Sequence, residues 1–72
     1  RPYKDKFTLF WSREDLENSE NQGFLPLGGH RALVRFAGRV AEYDLKDNAC
    51  GLYDPLRKFI LAVLEEHPYQ LP

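Results

Sequence analysis

A single cysteine in 72 residues excludes a disulfide framework. Cys50 has no partner to staple, which points to a reducing, intracellular compartment or to a buried thiol. No neighbouring base or cation is placed to activate it, so a structural thiol is the reading its surroundings favour. Apolar runs are equally scarce. The longest, Phe59 to Leu64, is far too short to span a bilayer. There is no excess of positive charge either: Lys and Arg number 10 against 11 Asp and Glu, for a net charge of −1. That balance excludes a generally basic nucleic-acid binder while leaving a local basic stripe open. Gly28-Gly29 is followed by neither a GxGxxG pattern nor a P-loop lysine, so it is not a phosphate loop. His30 and His67 have no Cys or carboxylate at ligand spacing, which argues against zinc. No metal or other cofactor is expected, no small-molecule substrate, and no enzyme. No signal or transit segment, internal repeat or low-complexity stretch is visible.

What remains is a chain of ordinary globular composition, 43% hydrophobic and 14% aromatic, which argues against disorder. It amounts to one small domain, or a fragment of one, over 1–72, with 1–5 as a charged lead-in. A chain this short hides only ~60% of the surface that its unfolded form exposes, so a protein partner is an expected source of stability.

The stretch Arg31 to Leu45 is the longest strand-like run. Ala32, Val34, Phe36 and Val40 alternate onto one face and Leu33, Arg35, Ala37 and Arg39 onto the other. After Val40 the phase changes: Ala41, Tyr43 and Leu45 become the apolar set. A bulge at Gly38 absorbs the switch and bends one long strand, as in small barrels. The rival account is a hairpin turning at Ala37-Gly38. It is disfavoured because two-residue turns want positive φ at the first central position, which alanine supplies poorly.

Around this stretch, Lys6 to Trp11 reads as a first strand. Ser12-Arg-Glu-Asp15 has capping-box spacing, predicting one helical turn that buries Leu16. Asn18 to Gly23 is a polar loop, and Phe24-Leu-Pro-Leu27 is extended by its proline. Gly28-Gly29-His30 turns the chain into the central stretch. Lys46-Asp-Asn48 is a turn signal, and Ala49 to Tyr53 is expected to pair back on Val40 to Asp44 as a hairpin strand. For residues 55–67 two readings stay open. Asp54-Pro55 looks like an N-cap with proline at the first helical position, and Leu56, Phe59, Ile60, Val63 and Leu64 form a helical stripe. Yet Glu65 and Glu66 crowd the negative end of that helix, and FILAVL also suits a buried strand. Local signals favour the helix.

Few residues suggest chemistry. Arg35 and Arg39, in series with Arg31, are expected on the outer face of the central strand. With Tyr43, Tyr53 or Trp11 nearby they make a cationic and aromatic track of the sort that holds single-stranded nucleic acid. The plainer alternative is a solvated face, and the near-neutral net charge favours it. Asp44, Asp47 and Asp54 fall at turns, where Asp serves its own backbone. The stripe Leu56, Phe59, Ile60, Val63 and Leu64 is a candidate partner interface.

Val34-Arg-Phe-Ala-Gly-Arg-Val40, followed by Glu42-Tyr-Asp44 and then Ala49 to Asp54, resembles the opening of an OB-fold. The layout is most similar to the family of the smallest subunit of the telomeric CST complex. The resemblance implies an all-β, OB-like small barrel, complete or partial, and a non-catalytic, nuclear subunit of an assembly acting on single-stranded DNA at telomere ends. An OB barrel needs five strands, and this chain has room for three after the lead-in. The alternative fold is α+β, a short sheet with a C-terminal helix over 55–67. The alternative function is a structural accessory subunit of a large complex, for example mitochondrial, without nucleic-acid contact.

Overall fold

A computed structural model describes residues 7–66. Thr8–Leu9 forms β1 and Arg13–Asn18 forms α1. Three strands follow, β2 (Gly23–Gly28), β3 (Arg31–Phe36) and β4 (Arg39–Asp44), and then α2 (Asp54–Glu66). The strands make one four-stranded sheet in the order β1-β2-β3-β4. β1 runs parallel to β2, and the other two pairings are antiparallel. The sheet is open, and with its C-terminal helix the fold is α+β. The closed or partial barrel expected from the OB resemblance does not form among the described residues.

The central stretch is not one bent strand. It folds into a hairpin at Ala37-Gly38, the turn that the sequence reading disfavoured. Ala37 and Gly38 both adopt positive φ, 54° and 76°, the mirror-image turn whose twist matches that of paired strands. Alanine is strained there, and two neighbouring features hold it. Gly38 takes the second position without penalty, and the side chain of Gln22 accepts the Ala37 N–H at 2.8 Å. The hairpin accounts for the phase switch without any bulge. Residues directly opposite in an antiparallel pair share a face, and the register sets Ala32 against Tyr43 and Val34 against Ala41.

Both faces of the sheet are apolar, and each has its own cover. On one face Phe24, Ala32 and Val34 join Leu45, Leu56, Ile60 and Leu64 in the main core. On the other, Leu25 and Leu33 pack with Phe10 and Leu16. α1 therefore exists to seat Leu16, which is wholly buried. Ser12 starts it as expected, its hydroxyl accepting the Asp15 N–H at 3.1 Å. The other end is closed by Arg35, whose Nη1 donates to the Glu17 carbonyl at 3.3 Å, one of the acceptors a helix C-terminus leaves open.

Residues 54–66 are helical, which resolves the ambiguity of FILAVL; His67, the last residue of the expected helix, lies outside the described residues. Leu56, Ile60 and Leu64 recur every fourth position and are buried against the sheet. Each fully buried side chain of this kind stabilises by ~1.5–3 kcal/mol. The acidic pair Glu65 and Glu66 costs ~0.3–1 kcal/mol per charge at a helix C-terminus, so the apolar stripe wins. His30 also approaches Glu65, Nε2 to Oε2 at 3.5 Å.

The expected strand from Ala49 to Tyr53 is absent. Asp44, Asp47 and Asn48 open a succession of turns instead. The Asp44 carboxylate accepts the Lys46 N–H at 3.1 Å and that of Asp47 accepts the Ala49 N–H at 2.9 Å. Backbone N–H groups of Asp47 and Cys50 bond back to Asp44 and Asp47. Side chains that satisfy local backbone in this way compete with strand pairing. Cys50 is half-buried in this segment rather than enclosed in the core.

Of the strand expected from Lys6 to Trp11, Lys6 lies outside the described residues and the sheet takes Thr8–Leu9. Phe10 donates its N–H to the Phe24 carbonyl at 2.9 Å, and the next rung of a parallel ladder would need an N–H from Pro26, which has none. The chain leaves the sheet there and enters α1.

Two substitutions test this architecture. A Cβ on Gly23 would sit 2.0 Å from the Thr8 carbonyl oxygen and 2.5 Å from the Phe10 ring. Gly23→Ala is therefore expected to destabilise by clearly more than the ~1 kcal/mol of a typical point mutant, read by urea denaturation; unchanged stability would mean that β1 does not pack this closely. At the turn, Ala37→Asn relieves left-handed strain and should raise stability by up to ~1 kcal/mol. A lower melting temperature for that variant would contradict the hairpin.

Candidate functional site: the outer edge of β4

The alternation of hydrogen bonding along the hairpin decides which backbone groups are left over. Leu45 donates its N–H to the His30 carbonyl at 2.7 Å, extending the register of Arg31 with Asp44 by one step. In an antiparallel pair, bonded and non-bonded positions alternate. The bonded pairs are therefore Ala32 with Tyr43, Val34 with Ala41 and Phe36 with Arg39, and the backbone of Val40, Glu42 and Asp44 faces away from β3. The Asp44 carbonyl is taken by the Asp47 N–H at 3.0 Å. What remains is a donor and an acceptor on each of Val40 and Glu42 and a donor on Asp44. Among the described residues no strand lies beyond β4.

Buried anchors hold this edge in place. Immediately after β4, Leu45 is wholly buried, and its carbonyl accepts Nη1 of Arg57 at 2.6 Å. Arg57, itself buried in the first turn of α2, also donates Nε to Asp54 at 2.9 Å. This guanidinium ties the end of β4 to the start of the helix. Removing it would strand a buried carbonyl, at a cost of ~1–3 kcal/mol. The Arg57 hydrogen bond is the main cause that holds the Asp54 carboxyl below its ordinary 3.8; desolvation opposes it, and Lys58, 3.4 Å away, adds to it. Asp54 is not the N-cap itself. The Arg57 N–H bonds to the Tyr53 carbonyl at 2.9 Å, so Tyr53 holds the cap position and Asp54 lies in the first turn, where a negative charge suits the helix dipole.

The side chains along β4 are arranged by sign. Arg39 is exposed at its start. Glu42 and Asp44 are exposed towards its end, on the face opposite to Arg39. Arg31, across from Asp44, reaches diagonally to pair with Glu42. Both partners of that pair are about half exposed, so it adds only ~0–1 kcal/mol. Asp47 follows in the next turn.

The residues expected to form a nucleic-acid track are scattered. Arg35 shares a face with Val40 and is engaged at the end of α1, whereas Arg39 shares the opposite face with Phe36. They lie on two strands and two faces, because the turn at Ala37-Gly38 separates them. Tyr53 does reach Arg39's face: its ring stacks on Phe36, with centroids 6.1 Å apart and planes at 12°. Tyr43 is half-buried along the main core, and Trp11 is 64% exposed just before α1. The candidate partner stripe divides by burial. Leu56, Ile60 and Leu64 are core residues, and Phe59 and Val63 pack beside them.

Sequence reasoning missed the β4 edge because it set Ala49 to Tyr53 against Val40 to Asp44, where no strand forms, and the edge consists of backbone, which no residue type advertises. Among the described residues no group of three or more His, Cys, Asp or Glu side chains is placed to hold a metal ion, and no helix is long and apolar enough to cross a membrane. The chain matches no family profile, no curated protein and no solved structure.

The assignment of the free edge has a direct test by proline substitution. Glu42→Pro removes an N–H that faces outward and should cost within about 1 kcal/mol, as proline is tolerated at such edge positions. Ala41→Pro removes an N–H bonded to β3 and should cost ~1–3 kcal/mol or more. Thermal denaturation that ranks the two the other way would invert the assigned phase.

Proposed function

We propose that this chain is a non-catalytic, protein-docking subunit or module of a larger assembly, and that a partner segment joins its sheet along the outer edge of β4. The observation that carries the reading is the set of outward-facing N–H and C=O groups on Val40 and Glu42, on a hairpin anchored by Gln22 at its turn and Arg57 at its end. Strand addition draws its affinity from main-chain hydrogen bonds and its specificity from alternate side chains. An uncovered edge is otherwise a liability, an open template for unwanted pairing. Of the two functions drawn from the sequence, this is the accessory subunit, with the docking element moved from the helix to the strand. The test is photo-crosslinking in the source cell, with a benzoylphenylalanine placed at residue 42 or, as a control, at residue 14 on α1. A protein adduct formed from position 42 and not from position 14 is expected. Identical adducts from both positions, or none from either, would defeat the reading.

A second reading, action on single-stranded DNA of the kind the OB resemblance implies, draws on Arg39 in register with Phe36, whose ring stacks on Tyr53. One cation beside two rings provides a single phosphate contact, and affinity then falls by only ~0.7 log units per tenfold rise in salt. Anisotropy of a labelled oligothymidylate at several salt concentrations separates the two readings. Binding that Arg39→Ala weakens and Arg35→Ala spares would favour DNA; no binding is expected if β4 docks protein.

A further inference from the structure

The charges beside β4 restrict what can pair with it. We infer that the docking segment is an extended, antiparallel strand with basic residues at the two alternate positions facing Asp44 and Glu42, and an acidic residue where it meets Arg39. This rests on the reading of β4 as the docking strand and names its partner by chemistry.

Entering antiparallel, the docking strand has its first residues opposite Asp44 and its last opposite Arg39. Towards the entry end, Glu42, Asp44 and Asp47 outnumber Arg31 and Lys46. Arg31 pairs with Glu42, and Asp44 is exposed, with one oxygen of its carboxylate on the Lys46 N–H. Opposite charges directly across a strand pair stabilise, and like charges destabilise by a similar amount. On the same face, Val40 is half-buried beside the Leu25 and Leu33 cluster, so the residue opposite it extends an apolar surface.

A second copy of the chain does not meet these conditions. The pairing that would set Arg39 of one copy against Asp44 of the other also joins the outward-facing Val40 to Tyr43, whose N–H and C=O are spent on β3. Hydrogen-bond phase forbids it. The in-phase pairings that engage more than one of Val40, Glu42 and Asp44 on each copy put Glu42 directly across from the same residue of the copy, or diagonal to it. Self-association therefore sets carboxylate against carboxylate, whereas a basic segment relieves both.

The test uses three synthetic peptides with the full chain. One carries matched charges (acetyl-Lys-Val-Arg-Ile-Val-Glu-amide), one reversed charges (acetyl-Glu-Val-Glu-Ile-Val-Lys-amide) and one threonine at those positions (acetyl-Thr-Val-Thr-Ile-Val-Thr-amide). Binding is followed by the amide resonances of Val40, Glu42 and Asp44. The matched peptide is expected to shift these amides and to bind roughly fivefold to tenfold more tightly than the reversed one, as exposed ion pairs of this kind allow. That gap should close at ~1 M salt, where the screening length falls to ~3 Å, and Glu42→Pro should abolish the shifts. Equal binding of all three peptides at β4 would overturn the charge selectivity while leaving edge docking in place. Silence of the β4 amides with every peptide would overturn edge docking itself. Shifts from the matched peptide confined to the Phe36 and Tyr53 region would overturn the inference in favour of a surface on the other side of the hairpin.

Discussion

The two-residue turn at Ala37-Gly38 sets the phase on which the rest of the molecule depends. With Phe36 and Arg39 as its flanking pair, every residue of β3 and β4 is assigned to a face and every backbone group to the inside or outside of the sheet. Val34 goes to the main core, with Ala41 opposite it on the same face, while Leu33 and Val40 go to the smaller one. A slip of one residue would exchange those faces, bringing Glu42 and Asp44 towards α2. The turn is held by a contact from outside the hairpin, the Gln22 side chain on the Ala37 N–H. The loop before β2 thus helps to fix the geometry of a turn fifteen residues later.

The second organising feature is a sheet that needs covering on both sides. A short domain cannot supply two full layers of helix, and here the two covers are unequal. α2 lays a stripe of three buried aliphatic residues over one face, whereas α1 contributes little more than Leu16, with Phe10 beside it. The smaller cover is stabilised by local devices: the Ser12 hydroxyl at the start of α1, the Arg35 guanidinium at its end, and the close approach of Gly23 to Thr8. Arg35 belongs to this scaffold, which explains an arginine in the middle of a strand without reference to a ligand.

Among the described residues, these constraints leave the outer side of β4 without a neighbouring strand. β2 and β3 have neighbours on both sides, and β1 is a two-residue edge cut short at Pro26. β4 is longer, six residues, and fastened at its end by Arg57 through the Leu45 carbonyl. A docking surface made of main chain needs that kind of support, because its affinity depends on backbone groups being held in register before the partner arrives.

Much of the local structure was legible in the sequence. The Ser12 cap, the burial of Leu16, the extended Phe24 to Leu27, the turns at Gly28-Gly29 and Lys46 to Asn48, and the amphipathic stripe after Pro55 each follow from residue type and spacing within a few positions. What the sequence left undecided was long-range. The positive φ of Ala37 comes with a hydrogen bond to Gln22, fifteen residues away, and the helix over FILAVL comes with a sheet face for it to cover. The expected strand from Ala49 to Tyr53 gave way to side chains that satisfy their own backbone. Of the apolar helix stripe, Leu56, Ile60 and Leu64 became core, since an apolar helix face close to a sheet is buried there first, and Phe59 and Val63 stay half-buried beside them. The arginines that looked adjacent were parted by one turn. Local propensity reaches across a few residues, whereas the register of a hairpin, and with it the identity of the open edge, exists only once distant segments have packed.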